Sequence, residues 1–411
     1  MDLIVGAGVT GLSYANFCGH TDYMIIEREN QIGGYCKTIK QDGFTWDYSG
    51  HFFHFRNPDI KKYLLSKMGN QKVLKLVKKS QIKYGHLFID YPFQKNIHQL
   101  NKQDFIDCLY DLFFKNNNEE FSTFKEMLYS EFGKSICDKF LIPYNEKVFA
   151  CDLDDLDKDA MGRFLPYANL EEIISNFKKP NNKSYNSTFI YPEGGAIEFA
   201  NALYSGIDSS KVYLREPLRK INVHTKEATT DKRTIKYDRV ISSIPFNQLM
   251  DIIGLEYDRD IYGFSKVLVF NLGFDKKGNP MNHWVYFPEK KYCFYRVGYY
   301  DNIFNSGQMS LYVEIGFPAD GPVNPSDCLP RVLADLRKAG IVTDQNLRSY
   351  HTIVMSPAYI HINKAVTTDV SGKKDYLGKH DISSIGRYGS WTYCSIEDNI
   401  IEAKELAEEL N

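Results

Sequence analysis

Hydrophobic positions along this chain change period several times, and each change predicts a different element. Leu3-Ile4-Val5 is an unbroken apolar run, as is Tyr23-Met24-Ile25-Ile26 before the acidic Glu27. Short continuous runs of this kind predict strands covered on both faces, as in a parallel sheet. From Asn101 to about Phe177 the period becomes helical, as in Asp104-Phe105-Ile106-Asp107-Cys108-Leu109-Tyr110-Asp111-Leu112-Phe113, with few β-branched alternations. A mostly helical insertion is expected there. Residues 262–360 alternate instead, as in Lys266-Val267-Leu268-Val269-Phe270-Asn271-Leu272 and Ser310-Leu311-Tyr312-Val313-Glu314-Ile315, which predicts an antiparallel sheet flooring a substrate cavity. The last helical pattern, Ile396 to Leu410, starts after Ser395, whose hydroxyl can cap it with Asp398 at the third helical position.

Between the two apolar runs at the start lies Gly6-Ala7-Gly8-Val9-Thr10-Gly11. Gly6 permits a tight strand-to-helix turn, Gly8 lets backbone N–H groups approach a pyrophosphate, and Gly11 lets the helix lie close to the strand. Glu27 falls where an acidic side chain takes ribose hydroxyls. This is the pattern of a dinucleotide clamp. Val212-Tyr213-Leu214, Ile221-Asn222-Val223 and Val240-Ile241-Ser242-Ser243-Ile244-Pro245 read as strands returning to the same domain, so the fold is discontinuous in sequence. The polar stretch 181–186 and the pair Gly194-Gly195 mark a domain border.

Composition narrows the partners. In 411 residues the 50 basic and 52 acidic side chains leave a net charge of −2, so no global field points to nucleic acid, and an anionic ligand has to be met by local cations. Eight cysteines are scattered without a Cys-x-x-Cys pair, which argues against a metal site and for a reducing, cytoplasmic compartment. No stretch of eighteen apolar residues occurs, so no membrane span is expected, and the first strand begins too early for a signal peptide. Oligomeric state is not legible at this level.

Further motifs join the glycine clamp: Gly33-Gly34, Phe44-Thr45-Trp46-Asp47 and Gly50-His51. Together they resemble the large FAD family that includes amine oxidases, protoporphyrinogen oxidase, GDP-dissociation inhibitors and UDP-galactopyranose mutases. FAD is thereby favoured over NAD. Four more segments, Tyr91-Pro92-Phe93-Gln94-Lys95-Asn96-Ile97-His98, Ile142-Pro143-Tyr144-Asn145-Glu146-Lys147-Val148, Tyr286-Phe287-Pro288 with Phe294-Tyr295-Arg296, and Gly386-Arg387-Tyr388-Gly389-Ser390-Trp391-Thr392-Tyr393, resemble the eukaryotic type of UDP-galactopyranose mutase.

That resemblance implies an α/β fold: an FAD-binding Rossmann-like domain (residues 1–75, 186–258 and 375–411), a helical domain (98–180) and an antiparallel-sheet substrate domain (76–97 and 259–374). It implies an isomerase that interconverts UDP-galactopyranose and UDP-galactofuranose, the latter for cell-surface polysaccharide. N5 of reduced FAD attacks the anomeric carbon and UDP leaves. NAD(P)H is the candidate reductant. By the same resemblance Arg163 and Arg296 clamp the diphosphate, Tyr286, Tyr359 and Tyr393 donate hydrogen bonds to it, and Asn186 lies on a nearby loop. Tyr91, Phe93 and Gln94 are expected at uracil and ribose, and His51 and Arg387 beside the flavin. Two rivals share the first fifty residues: a flavin oxidase or dehydrogenase acting on an amine or porphyrin-like substrate, and a prenyl-GTPase escort. Another nucleotide sugar is the third alternative.

Overall fold

The computed structural model describes residues 1–115, 120–182 and 187–411. Its first layer is a five-stranded parallel sheet in the order Ile382–Ser384, Arg239–Ser242, Asp2–Val5, Tyr23–Ile26, Val212–Tyr213. The central strand is wholly buried because helices cover it, which is why its sequence is unbroken apolar rather than alternating. Val9–Phe17 and Ile396–Leu410 pack together on this sheet. Ser395 and Asp398 form a reciprocal capping box that starts the latter helix. The strand expected at Ile221-Asn222-Val223 spans Leu218–Asn222, pairs with Glu227–Thr230 and joins a separate three-stranded antiparallel sheet rather than the parallel one.

The second layer is a seven-stranded sheet in the order Leu347–Ile360, Phe264–Phe274, Ser310–Pro318, Arg296–Tyr299, Trp284–Tyr286, Ser80–Tyr84, Leu87–Asp90. All its pairings are antiparallel except that of Trp284–Tyr286 with Ser80–Tyr84. The alternation expected through residues 262–360 is interrupted by the helix Pro325–Lys338, where Leu329, Val332, Leu333 and Leu336 fall at helical spacing behind an Asn324 cap. Helices Lys102–Phe113, Phe124–Phe132, Ile142–Phe149 and Leu170–Lys178 share one core with this sheet, through Phe93, Phe124, Phe132, Phe149, Tyr286 and Tyr295.

A small hairpin, Thr38–Gln41 with Phe44–Asp47, ties the layers together. Trp46 Nε1 donates to Ser310 Oγ at 2.9 Å. The buried Asp47 carboxylate accepts from Thr38 Oγ1, from Tyr191 Oη and, at 3.0 Å, from Ala196 N. Burial nevertheless outweighs these donors and pushes the Asp47 carboxyl from 3.8 up to about 7. The folded chain therefore holds that proton more tightly than the unfolded one, and the contribution of Asp47 to stability falls as pH rises from 3.8 to about 7. Asp47→Asn is expected to remove this slope in thermal melts over that range; an unchanged slope would contradict it.

Candidate active site

A cavity of about 1070 Å³ runs from Gly8 past Glu27 and Gly34 to His51, Arg296 and Tyr393. Pockets for a single drug-sized ligand are roughly 300–1,000 Å³. The length of this chamber suits a dinucleotide with a second ligand beyond it.

At one end the glycine turn is built as its spacing requires. Gly6 has φ +101°, a conformation side chains rarely adopt, and its N–H donates to Ile26 O at 2.9 Å. Gly8 stands at the N-cap of Val9–Phe17, so the free N–H groups of that helix face the cavity. Gly33 N donates to Ala7 O at 2.8 Å, and with Gly34 it lines the chamber beside Gly8. Glu27 accepts from Ala7 N at 2.8 Å and from Glu29 N at 2.9 Å. It thus holds the glycine loop as well as facing the chamber, and its remaining lone pairs are what it has for a ribose.

At the middle stand His51 and Arg387. Burial lowers the His51 imidazole to about 4, so the ring is neutral at physiological pH, and its buried Nε2 has no hydrogen-bond partner. Arg387 donates to Cys394 O and Ala358 O, both at 3.3 Å, lies over the rings of Tyr393 and Tyr359 at 4.5 and 5.5 Å, and leaves its buried Nε unpaired. An unpaired guanidinium N–H and an unpaired imidazole nitrogen, on the wall of a chamber that begins at a pyrophosphate-binding turn, fit a ring system edged with both hydrogen-bond acceptors and N–H donors. A flavin dinucleotide has that edge.

The far end is cationic and aromatic. Arg296 is half-buried on the cavity wall and forks onto Glu314, with Nη2 to Oε1 at 2.8 Å and Nε to Oε2. Burial works against its charge, but the Glu314 carboxylate keeps the guanidinium protonated well above its ordinary value. Ser49, next to Gly50-His51, donates to the same carboxylate. Tyr286 sits directly opposite Arg296 in the sheet register and packs on Tyr91 with centroids 4.9 Å apart. Tyr359 and Tyr393 stack at 6.0 Å on the neighbouring wall. Burial raises the phenols of Tyr286 and Tyr393, so both stay protonated as donors.

Several expected residues are placed differently. Arg163 lines the cavity but its guanidinium is held by both carboxylate oxygens of Asp398, at 2.6 Å to Oδ1. Phe93 is fully buried against Phe140 at 5.3 Å, and Gln94 donates to Pro166 O; neither reaches the cavity wall, because Phe93–Lys95 forms a helical turn rather than an extended edge. Pro166, which Gln94 holds, does line it. Asn186 lies outside the described residues. Four residues were not anticipated: Tyr144, edge-on to Tyr286 at 5.4 Å; Glu314; Trp284, with Arg296 4.9 Å and Lys78 4.7 Å from its ring; and Lys78 itself, whose ammonium burial and Arg296 push well below the usual value. Tyr144 lies within the Ile142–Val148 motif, whose sequence alone does not show which side chain faces the chamber. Among the described residues, no cluster of His, Cys, Asp or Glu can hold a metal ion, and no helix is long and apolar enough to cross a membrane.

Fold and chamber fit a dinucleotide-binding protein whose cavity continues past the glycine turn. Residues 12–355 match the sequence profile of the flavin containing amine oxidoreductase family, and the chain belongs to that family. Among solved structures it is similar to a reduced UDP-galactopyranose mutase at 25% identity and a TM-score of 0.93, covering 100% of this chain and 93% of that one. It is similar in fold to a candidate protoporphyrinogen oxidase from an Exiguobacterium species, at 15% identity and a TM-score of 0.79 over 100% of this chain and 98% of the other. A CLA-producing fatty acid isomerase from P. acnes follows at 13% identity and a TM-score of 0.68, covering 99% of this chain and 98% of that one. Oxidases and isomerases share this architecture, so the fold alone does not choose the reaction.

Proposed function

We propose that the chain is a flavin-dependent UDP-sugar mutase that interconverts UDP-galactopyranose and UDP-galactofuranose, with FAD active in its reduced form. The observation that carries this reading is the pairing of Arg296 with Tyr286 in one chamber with the dinucleotide turn, beside the wall of Tyr359 and Tyr393. An amine oxidase acting on a cationic or apolar substrate has no use for a half-buried, permanently charged guanidinium ringed by phenols; a sugar diphosphate does.

The glycine turn and Glu27 would hold the dinucleotide, with His51 and Arg387 at its ring. Bound and reduced, FAD supplies the electron-rich nucleophile that an anomeric carbon needs, with no net redox change. Arg296 and Arg163 bind the diphosphate and stabilise UDP as a leaving group, while Tyr286, Tyr359 and Tyr393 add neutral donors. Tyr91 flanks the nucleotide end. Arg163 joins this clamp by exchanging the Asp398 carboxylate for phosphate oxygens, which is a movement of the 162–164 turn. Eight unpaired thiols support a reducing, cytoplasmic setting, and NAD(P)H is the reductant proposed.

The test is to incubate the dithionite-reduced protein with UDP-galactofuranose and follow nucleotide-sugar peaks by chromatography. Conversion to UDP-galactopyranose is expected, with none in the oxidised protein. No conversion across a panel of UDP-sugars, or stoichiometric oxygen consumption with an amine, would overturn the reading. Anaerobic bleaching of the flavin by NADPH or NADH tests the reductant.

A further inference from the structure

The helix Ile142–Phe149 carries Tyr144 and Lys147 three residues apart, hence on one face. Tyr144 reaches Tyr286 and Tyr295. Lys147 has no place in the chamber wall, yet its Nζ is fully engaged: it donates to Phe287 O at 2.8 Å, Glu289 O at 3.2 Å and Phe294 O at 2.6 Å. Those three carbonyls bracket the turn of residues 288–293 that joins Trp284–Tyr286 to Arg296–Tyr299. One lies next to Tyr286 and another two residues before Arg296. An ammonium has three donors in a tetrahedral array, and each meets one of these oxygens.

The same helix is seated against the strand that holds Glu314. A Cβ on Gly316 would stand 2.0 Å from Lys147 O, so that glycine is what lets the helix backbone approach the strand. Lys147 therefore ties three elements to one point: its own helix, the Tyr286 and Arg296 hairpin, and the neighbourhood of Glu314.

We propose that Lys147 is the positioning residue of the anion clamp: by holding the carbonyls of residues 287–294 it fixes the spacing between Tyr286 and Arg296, and so sets the affinity for a nucleoside diphosphate. This rests on the reading of the chamber as a UDP-sugar site. Removing the ammonium leaves Glu289 O its bond from Tyr292 N at 3.2 Å but takes the side-chain donor from the carbonyls of the buried Phe287 and Phe294, the two that flank the turn, so the turn relaxes first.

Burial lowers the Lys147 ammonium to about 8, against the attraction of Cys293, Asp335 and Glu289 and with a small push from Arg331. Glu146 on the same helix is paired with Lys290 at 3.4 Å, and Asp335 also accepts from Cys293 N at 2.8 Å. As pH rises through about 8 the neutral amine loses one of its three donors, and the clamp loosens.

The experiment measures UDP binding to the holoprotein by calorimetry from neutral to alkaline pH, with amide hydrogen exchange of residues 287–295 recorded without ligand. The wild type is expected to bind UDP progressively less well above pH about 8. Lys147→Met is expected to bind about tenfold more weakly at neutral pH, with no such alkaline limb, with unchanged flavin content and with faster exchange in the turn. Lys147→Arg, which keeps its charge, should recover part of the affinity and also lack the limb. Wild-type UDP affinity in Lys147→Met, or unchanged exchange in the turn, overturns the proposal. Absence of UDP binding in the wild type overturns the nucleotide-sugar reading instead, and the exchange experiment then still decides whether Lys147 holds the turn.

Discussion

Arg296→Ala is expected to lower kcat/KM for the proposed mutase reaction by about 1000-fold while the protein remains yellow. The guanidinium is expected to act where charge develops on departing UDP, and among the described residues no other cation is paired with Glu314. A complication arises from that partner. Truncating Arg296 strands the buried Glu314 carboxylate with Ser49 as its remaining side-chain donor, and breaking a buried ion pair from one side costs roughly 3–5 kcal/mol. Turnover could therefore fail through unfolding. The double variant Arg296→Met with Glu314→Gln separates the two effects, since it removes both charges and leaves an amide that Ser49 can still meet. It should melt close to the wild type, keep its flavin absorbance and remain inactive. Loss of flavin from both variants would show that Arg296 belongs to the cofactor, and retained turnover in the double variant would remove it from the mechanism.

Ser49 adds a consequence for the site as a whole. Its backbone lies between Tyr48 and Gly50-His51, on the part of the chain expected to meet the flavin, while its hydroxyl donates to the carboxylate that orients Arg296. The loop proposed to meet the flavin and the proposed anion clamp thus share the Glu314 carboxylate.

The parts of this arrangement legible in sequence are those fixed by local geometry. The turn at Gly6 needs a positive φ, Glu27 lies one strand away, and the capping box at Ser395 spans four residues. What sequence could not supply is register and long-range pairing. Glu314 meets Arg296 only because Ser310–Pro318 pairs antiparallel with Arg296–Tyr299 and sets these two residues opposite one another. Along the chain Glu314 is simply one acidic position in an alternating run. Arg163 is held by a carboxylate 235 residues away. Phe93 and Gln94 were expected at the nucleotide by resemblance of the 91–98 motif, which says nothing of local conformation; a helical turn sends both inward. The helix Pro325–Lys338 was overlooked because the strands on either side dominate the pattern of the region.

Gly11→Ala is expected to be strongly damaging to the fold, and Gly8→Ala, three residues earlier, nearly harmless for folding. A Cβ at Gly11 would stand 2.0 Å from Gly6 O and 3.2 Å from both Gly6 C and Ile4 Cγ2. Gly6 cannot yield, since its φ of +101° is set by the turn and its N–H is bonded to Ile26 O in the next strand. The helix must therefore lift from the sheet, and a destabilisation of about 3 kcal/mol or more follows. At Gly8 the nearest atom to an added Cβ is Gly34 Cα at 3.8 Å, ordinary van der Waals contact, and its φ of −78° suits alanine. Space there is reserved for a ligand, so Gly8→Ala should melt with the wild type yet be purified with little flavin, whereas Gly11→Ala should lose melting temperature and flavin together. Thermal melts and flavin absorbance of the two variants decide it. If Gly8→Ala retains full flavin, the pyrophosphate does not lie against that turn; if it melts as low as Gly11→Ala, the glycine there serves the fold rather than the cofactor.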